Sequence, residues 1–154
     1  MKIRFIWIDK TKAGPEKDII DDYASRIKRF ADVEIIEIKS SARQENPESA
    51  MEEEARDIEK HLLKDSFFIA TTPSGKEISS HKFAELMKDV LKVQAKPVVI
   101  VVGGRYGIAP RLIKASNLKL SISQMTLNHY LVRIFLFEQV YRGFCIMDSL
   151  PYAK

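Results

Sequence analysis

Apolar residues fall along this chain in two alternating periods. Lys2 to Asp9 is a nearly unbroken β-favouring apolar run, the pattern of a buried strand. Gly14-Pro15 marks a turn and a helix start, after which Ile19, Ile20, Tyr23, Ile27 and Phe30 recur at helical spacing. From Val33 to Lys39 the period is two. Val33, Ile35 and Glu37 face one way and Glu34, Ile36 and Ile38 the other, so the strand has one more apolar side. The polar stretch SSARQENPES is the one candidate for a mobile loop. Asn46 before Pro47 predicts an N-cap and a first helical residue. Met51, Ala55, Ile58 and Leu62 then give a helix with a narrow apolar stripe.

The second half keeps this rhythm. SFFIA predicts a short strand ending in the polar loop TTPSGKE. Ser79 or Ser80 caps a helix carrying Phe83, Leu86, Met87, Val90 and Leu91. The apolar run from Pro97 to Val102 predicts a central parallel strand covered on both faces. After GGRYG come a short helix over about Pro110 to Ala115, a brief strand at Leu118 to Ser121, and a final helix over about Asn128 to Phe144. Strand and helix therefore alternate five times. That order predicts one α/β domain spanning 1–154, a sandwich around a mostly parallel sheet.

Composition narrows the class. A hydrophobic content of 45% with 30% charged residues is that of a soluble globular protein. No apolar run approaches a membrane span, and the first apolar stretch is too short for a signal-peptide core. The single cysteine, Cys145, rules out an internal disulfide framework and fits a reducing, cytoplasmic setting. His61, His81 and His129 lie too far apart to read as a metal cluster, so no metal is expected. The net charge of +4 is unevenly spread. Residues 1–91 hold 16 Lys and Arg against 19 acids, and residues 92–154 hold nine against two. Such asymmetry marks contact with a polyanion or, equally, a solvated basic face.

In open α/β sheets ligands bind beyond the carboxyl ends of strands. Two strands end in unusual loops there, Ala70 to Gly75 and Gly103-Gly104-Arg105-Tyr106-Gly107. The glycine pattern is neither a dinucleotide fingerprint nor a phosphate loop, and alone it is better read as a tight turn. The segment Leu120 to His129 alternates hydroxyl and apolar residues and leads into the last helix. It can offer amides and hydroxyls to a polar ligand, or Ser123, Thr126 or Asn128 can simply cap that helix. The helix itself is apolar on more than one side, which calls for a second covering surface such as a partner subunit. Glu138 and Arg142, four apart, meet on one face, as a surface ion pair or as something more.

GGRYG, LSISQMTLNHYLVR, EQVYRG and the tail PYAK together resemble the RlmH family over the whole chain. These are bacterial SPOUT-superfamily methyltransferases acting on a pseudouridine of 23S ribosomal RNA. The resemblance implies a C-terminal trefoil knot, S-adenosylmethionine bound in it, and a homodimer acting on the ribosomal RNA or the assembled ribosome. It implies cofactor contacts at Thr71, Gly103, Gly104, Ser123, Gln124, Met125, Thr126, Leu127 and Asn128. It implies substrate contacts at His129, Arg133, Arg105 and Lys154, and catalytic roles for Glu138, Arg142 and Tyr152. The family's tail reads Pro-Tyr-His before a basic residue, whereas this chain has Ala153. Three readings follow: another residue substitutes, activity is reduced, or the histidine is not essential. The competing expectation is a catalytically impaired RNA- or ribosome-binding protein that retains the fold.

Overall fold

The computed structural model describes residues 1–40 and 46–153. Its strands are β1 (Lys2–Ile8), β2 (Asp32–Ile38), β3 (Phe67–Lys76), β4 (Val98–Val102) and β5 (Leu118–Leu120). Its helices are α1 (Pro15–Ile27), α2 (Pro47–Glu59), α3 (Ser80–Lys88), α4 (Pro110–Ala115) and α5 (His129–Met147). A widened turn over Asp89–Val93 extends α3, and a short turn, Pro151–Ala153, follows α5. The strands form one sheet in the order β2-β1-β4-β3-β5, and every pairing is parallel.

Alternation along each strand sends side chains to two layers. Ile3, Phe5, Trp7, Ile69, Val98, Ile100 and Val102 meet α1, α3 and α5 on one face. Ile6, Ile8, Phe68, Ala70, Val99 and Val101 meet α2 and α4 on the other. Covered on both faces, β4 is buried along its whole length, which is why its sequence is an unbroken apolar run. Phe137 stacks on Phe5 at 4.0 Å and Phe144 on Phe30 at 5.1 Å, locking α5 to the sheet and to the end of α1. Each fully buried aromatic side chain here is worth about 2–3 kcal/mol of transfer free energy. The other side of α5 stays open, with Leu131 53% and Phe135 41% exposed.

The caps follow the local chemistry. Asn46 accepts from the amides of Glu48 at 2.9 Å and Ser49 at 3.2 Å, and Ser79 rather than Ser80 caps α3 through Lys82 N at 3.2 Å. Of the stretch expected to be a mobile loop, residues 41–45 lie outside the described residues, and helix begins at Pro47.

One boundary differs substantially. β3 does not stop at Ala70 but runs on to Lys76, through much of the expected polar loop. Thr71 and Lys76 both lie opposite Leu120, so the chain bows out between them and rejoins β5. Gly75 permits the return: a Cβ there would stand 2.7 Å from backbone carbons of Lys119 and Leu120.

Candidate functional site

The carboxyl ends of β3, β4 and β5 are neighbours, and the loops that follow them enclose one cleft. Thr71, Gly103, Gly104, Ser123, Met125, Thr126, Leu127 and His129 line it, together with Thr72, Pro73, Gly107 and Val132. The space between these loops, counted together with the open solvent at its mouth, is about 640 Å³. Three sequence segments that share no local signal thus converge. Gln124 and Asn128 do not line the cleft. Asn128 instead caps α5, accepting from Tyr130 N at 2.8 Å, which selects one of the three candidate capping residues.

Each loop reaches the cleft for its own local reason. Gly103 must be glycine because the chain folds back on itself: a Cβ would lie 2.5 Å from the carbonyl carbon of Gly107. Gly107 N donates to Gly104 O at 3.0 Å and takes φ +88°, closing the turn. Gly104 leaves space for Ile8 and for the buried carboxylate of Glu54 behind the loop. Thr71 donates its hydroxyl to Val101 O at 2.9 Å, so what it offers the cleft is mainly backbone. Ser123 Oγ accepts from Met125 N at 3.0 Å and shapes the third loop. The walls are apolar at Val102, Leu120, Ile122, Leu127 and Val132, and among the described residues no lysine or arginine lines them. The pKa of His129 is lowered, first by burial of the ring and second by the charge of Arg133, which keeps the imidazole neutral at pH 7.

Glu138, Arg142 and Tyr152 form a second cluster further along α5. Arg142 Nε donates to Glu138 Oε1 at 2.8 Å, and Tyr152 Oη donates to the same oxygen at 3.1 Å. The Arg142 guanidinium lies 5.0 Å from the centre of the Tyr152 ring. His129 marks the cleft; Glu138 and Arg142 stand nine and thirteen residues on. At 1.5 Å per residue the separations are about 13 and about 20 Å along the axis. Within one chain, then, the cleft and the Glu138 cluster are apart.

The expected substrate contacts scatter. His129 lies at the cleft wall. Arg105 is exposed on the glycine loop, its guanidinium 5.5 Å from the Tyr106 ring, and does not line the cleft. Arg133 is buried, at 1% exposed. It donates to Ile8 O at 2.6 Å and to Thr11 Oγ1 at 2.9 Å, between the rings of Trp7 and Tyr130. Lys154 lies outside the described residues.

Sequence reasoning missed Tyr23, whose hydroxyl is 3.1 Å from that of Tyr152, and Gln139, which donates to Glu138 at 2.6 Å. Tyr23 sits in an ordinary apolar stripe, and nothing local distinguishes it from core. Among the described residues no group of His, Cys, Asp and Glu could hold a metal ion, and no helix is long and apolar enough to cross a membrane.

Compared with known proteins, residues 1–153 match the family model described as "Predicted SPOUT methyltransferase". A ribosomal RNA large subunit methyltransferase H of Streptococcus sanguinis is 35% identical over 162 residues, covering all of both chains. A protein of the same name from Clostridium botulinum strain Kyoto is also 35% identical over the full length of both chains. Another, from Caldicellulosiruptor saccharolyticus, is 34% identical over 99% of each.

Proposed function

We propose that this chain, which belongs to the SPOUT methyltransferase family, methylates N3 of a pseudouridine in a hairpin loop of 23S ribosomal RNA, with S-adenosylmethionine as donor. The observation that carries the reading is the convergence of three loops on one cleft in a chain alike over its full length to large-subunit RNA methyltransferases. The reading includes the family's trefoil knot over the last third, a cytoplasmic setting and a homodimer.

The cleft suits the donor chemically. Apolar walls accept an adenine ring, and glycine and loop backbone can meet its polar edges. Among the described residues no lysine or arginine lines the cleft, which with a neutral His129 avoids repulsion of a sulfonium. Thr71, Gly103, Gly104, Ser123, Met125, Thr126 and Leu127 would hold it, mostly through main chain. When bound, the sulfonium supplies an activated methyl group; the protein supplies alignment and a dry pocket.

The acceptor N3 would give up its proton to solvent water and, as the anion, take the methyl group, the bond from methyl to sulfur breaking to leave a neutral thioether. Arg142 stabilises the anionic base that results, and Glu138, accepting from Arg142 at 2.8 Å, fixes its orientation. Tyr152 offers a ring face on which the base can stack. A loop nucleotide can be splayed into such a pocket without opening a duplex.

About 13–20 Å of helix separates this cluster from the cleft. In the proposed homodimer the exposed Leu131 and Phe135 face of α5 is where a second copy would seat.

The test is transfer of labelled methyl to ribosomes, and separately to free ribosomal RNA, from cells lacking this modification. Labelled N3-methylpseudouridine is the expected product. No product from either substrate, with a relative active in the same assay, overturns the reading. Calorimetry with S-adenosylmethionine separates an inactive RNA binder from an enzyme tested on the wrong RNA form.

A further inference from the structure

Tyr23 stands on α1, and its hydroxyl is 3.1 Å from Tyr152 Oη. Tyr152 Oη is in turn 3.1 Å from Glu138 Oε1. An ionised carboxylate has no proton to give, so Tyr152 must donate to Glu138. A phenol has one proton, so in the contact between the two tyrosines Tyr23 must be the donor. The chain of bonds is therefore directional: Tyr23 to Tyr152, Tyr152 to Glu138. Glu138 is held from its other sides by Arg142 Nε at 2.8 Å and Gln139 Nε2 at 2.6 Å.

The packing around this chain is aromatic and cationic. Tyr141 meets the Tyr152 ring edge-on at 4.7 Å and lies 6.0 Å from the ring of Tyr23. The Arg26 guanidinium is 5.8 Å from Tyr23 and 5.7 Å from Tyr141. Tyr152 belongs to the three-residue turn Pro151–Ala153, which is too short to hold a conformation by itself. Its other polar contacts are to α5, so Tyr23 ties it to a second element, 129 residues away in sequence.

We infer that Tyr23 is a positioning residue of the methyl-transfer centre: it docks the tail on α1 and commits the single Tyr152 proton to Glu138. This rests on the function proposed above. With its proton so engaged, Tyr152 serves as a neutral ring beside Arg142 and not as a base. Its raised pKa, due first to burial and then to the bonds with Tyr23 and Glu138, agrees with that role. In a chain whose tail carries Ala153, the tail's contribution then depends on how rigidly Tyr152 is held.

Tyr23→Phe removes one hydroxyl and keeps the ring. On undermethylated ribosomes the expected result is a kcat lowered roughly tenfold, with the cofactor Kd and Tm unchanged. In a Tyr152→Phe background the same change should cost nothing further, because the bond is already gone. Additive losses, or a Tyr23→Phe rate equal to that of the parent, overturn the inference. Amide exchange over residues 148–153 reads docking without activity. It should quicken in Tyr23→Phe while α1 keeps its protection, and unchanged tail exchange also overturns the inference. Because that readout needs no turnover, an inactive parent enzyme would sink the proposed reaction and leave the docking result standing.

Discussion

A buried guanidinium is tolerated only where its donors and its flat faces are both occupied. Arg133 meets most of that demand. Two of its nitrogens reach Ile8 O and Thr11 Oγ1, and its central carbon lies 4.8 Å from the centre of the Trp7 ring and 5.1 Å from that of Tyr130, leaving Nε without a hydrogen-bond partner among the described residues. Burial pushes its pKa down to about 10, which still leaves it charged at neutral pH. Glu37, which accepts from Thr11 N at 2.9 Å, and Asp9 supply nearby negative charge. Arg133 thereby ties α5 to the end of β1, next to His129 and Val132 of the cleft wall. A lysine cannot span both acceptors or stack between the rings. Arg133→Lys should cost about 2 kcal/mol in urea unfolding and weaken cofactor binding severalfold by calorimetry. Equal stability would show that the fork is dispensable. The sequence marks this arginine through its place in LVR, yet whether it points outward or inward depends on Trp7 and Thr11, more than 120 residues away.

At the scale of elements, β2 is an edge strand secured to β1 by charge as well as by the ladder. Lys2 Nζ lies 2.6 Å from Glu34 Oε1, and Arg4 Nε donates to Oε2 at 2.7 Å. Those bonds, first from Lys2 and then from Arg4, hold the Glu34 carboxyl below its ordinary value of 4.5. A depressed carboxylate contributes stability that is complete above the unfolded pKa and is lost as pH falls through the folded one. The Tm difference between the parent and Glu34→Gln should therefore be constant above about pH 4.5 and close below it. A gap that persists into stronger acid would exclude the carboxylate as its cause. The alternation in VEIIEIK shows such a strand, but not that its partner carries Lys2 and Arg4 at the matching register. β3 shows the reverse limit. Pro73 and Gly75 punctuate TTPSGKE like a loop, and only pairing with β5 makes its far end strand.

At the scale of the molecule, charge is distributed differently from its distribution along the chain. The basic last third is partly consumed: Lys92 pairs with Asp148, Arg111 with Glu52 and Glu59, Arg142 with Glu138, and Arg133 is buried. Lys10, Lys12, Lys39 and Arg105 are exposed and form no ion pair among the described residues. Ile8 pairs with Ile38 and Trp7 with Val102, so the ends of β2, β1 and β4 lie side by side, about 4.8 Å apart. These cations thus gather at the strand ends that lead to the cleft, where an RNA backbone would run. Reversing Lys10, Lys12 and Lys39 to glutamate should weaken ribosome binding and lower its salt slope by about 0.7 per lost single-strand phosphate contact. Cofactor affinity should not change. Lys28, Lys64 and Lys96, exposed before β2, β3 and β4 at the opposite end of the sheet, are the control set. Equal weakening from that set would refute a directed surface.

The sequence by itself determined the alternation of strands and helices, the burial of β4, the cap at Asn46, and the family. Periodicity, capping chemistry and shared motifs all act over a few residues or are carried whole in the order of the chain. Only the tertiary structure decided that Thr71, Gly103 and Ser123 enclose one cleft and that Arg133 turns inward. It alone placed the exposed lysines of the first half at the cleft end and set Tyr23 against the tail. Those facts depend on strand order and on contacts between distant residues, where the energy of a side chain is set by neighbours that its own segment does not name.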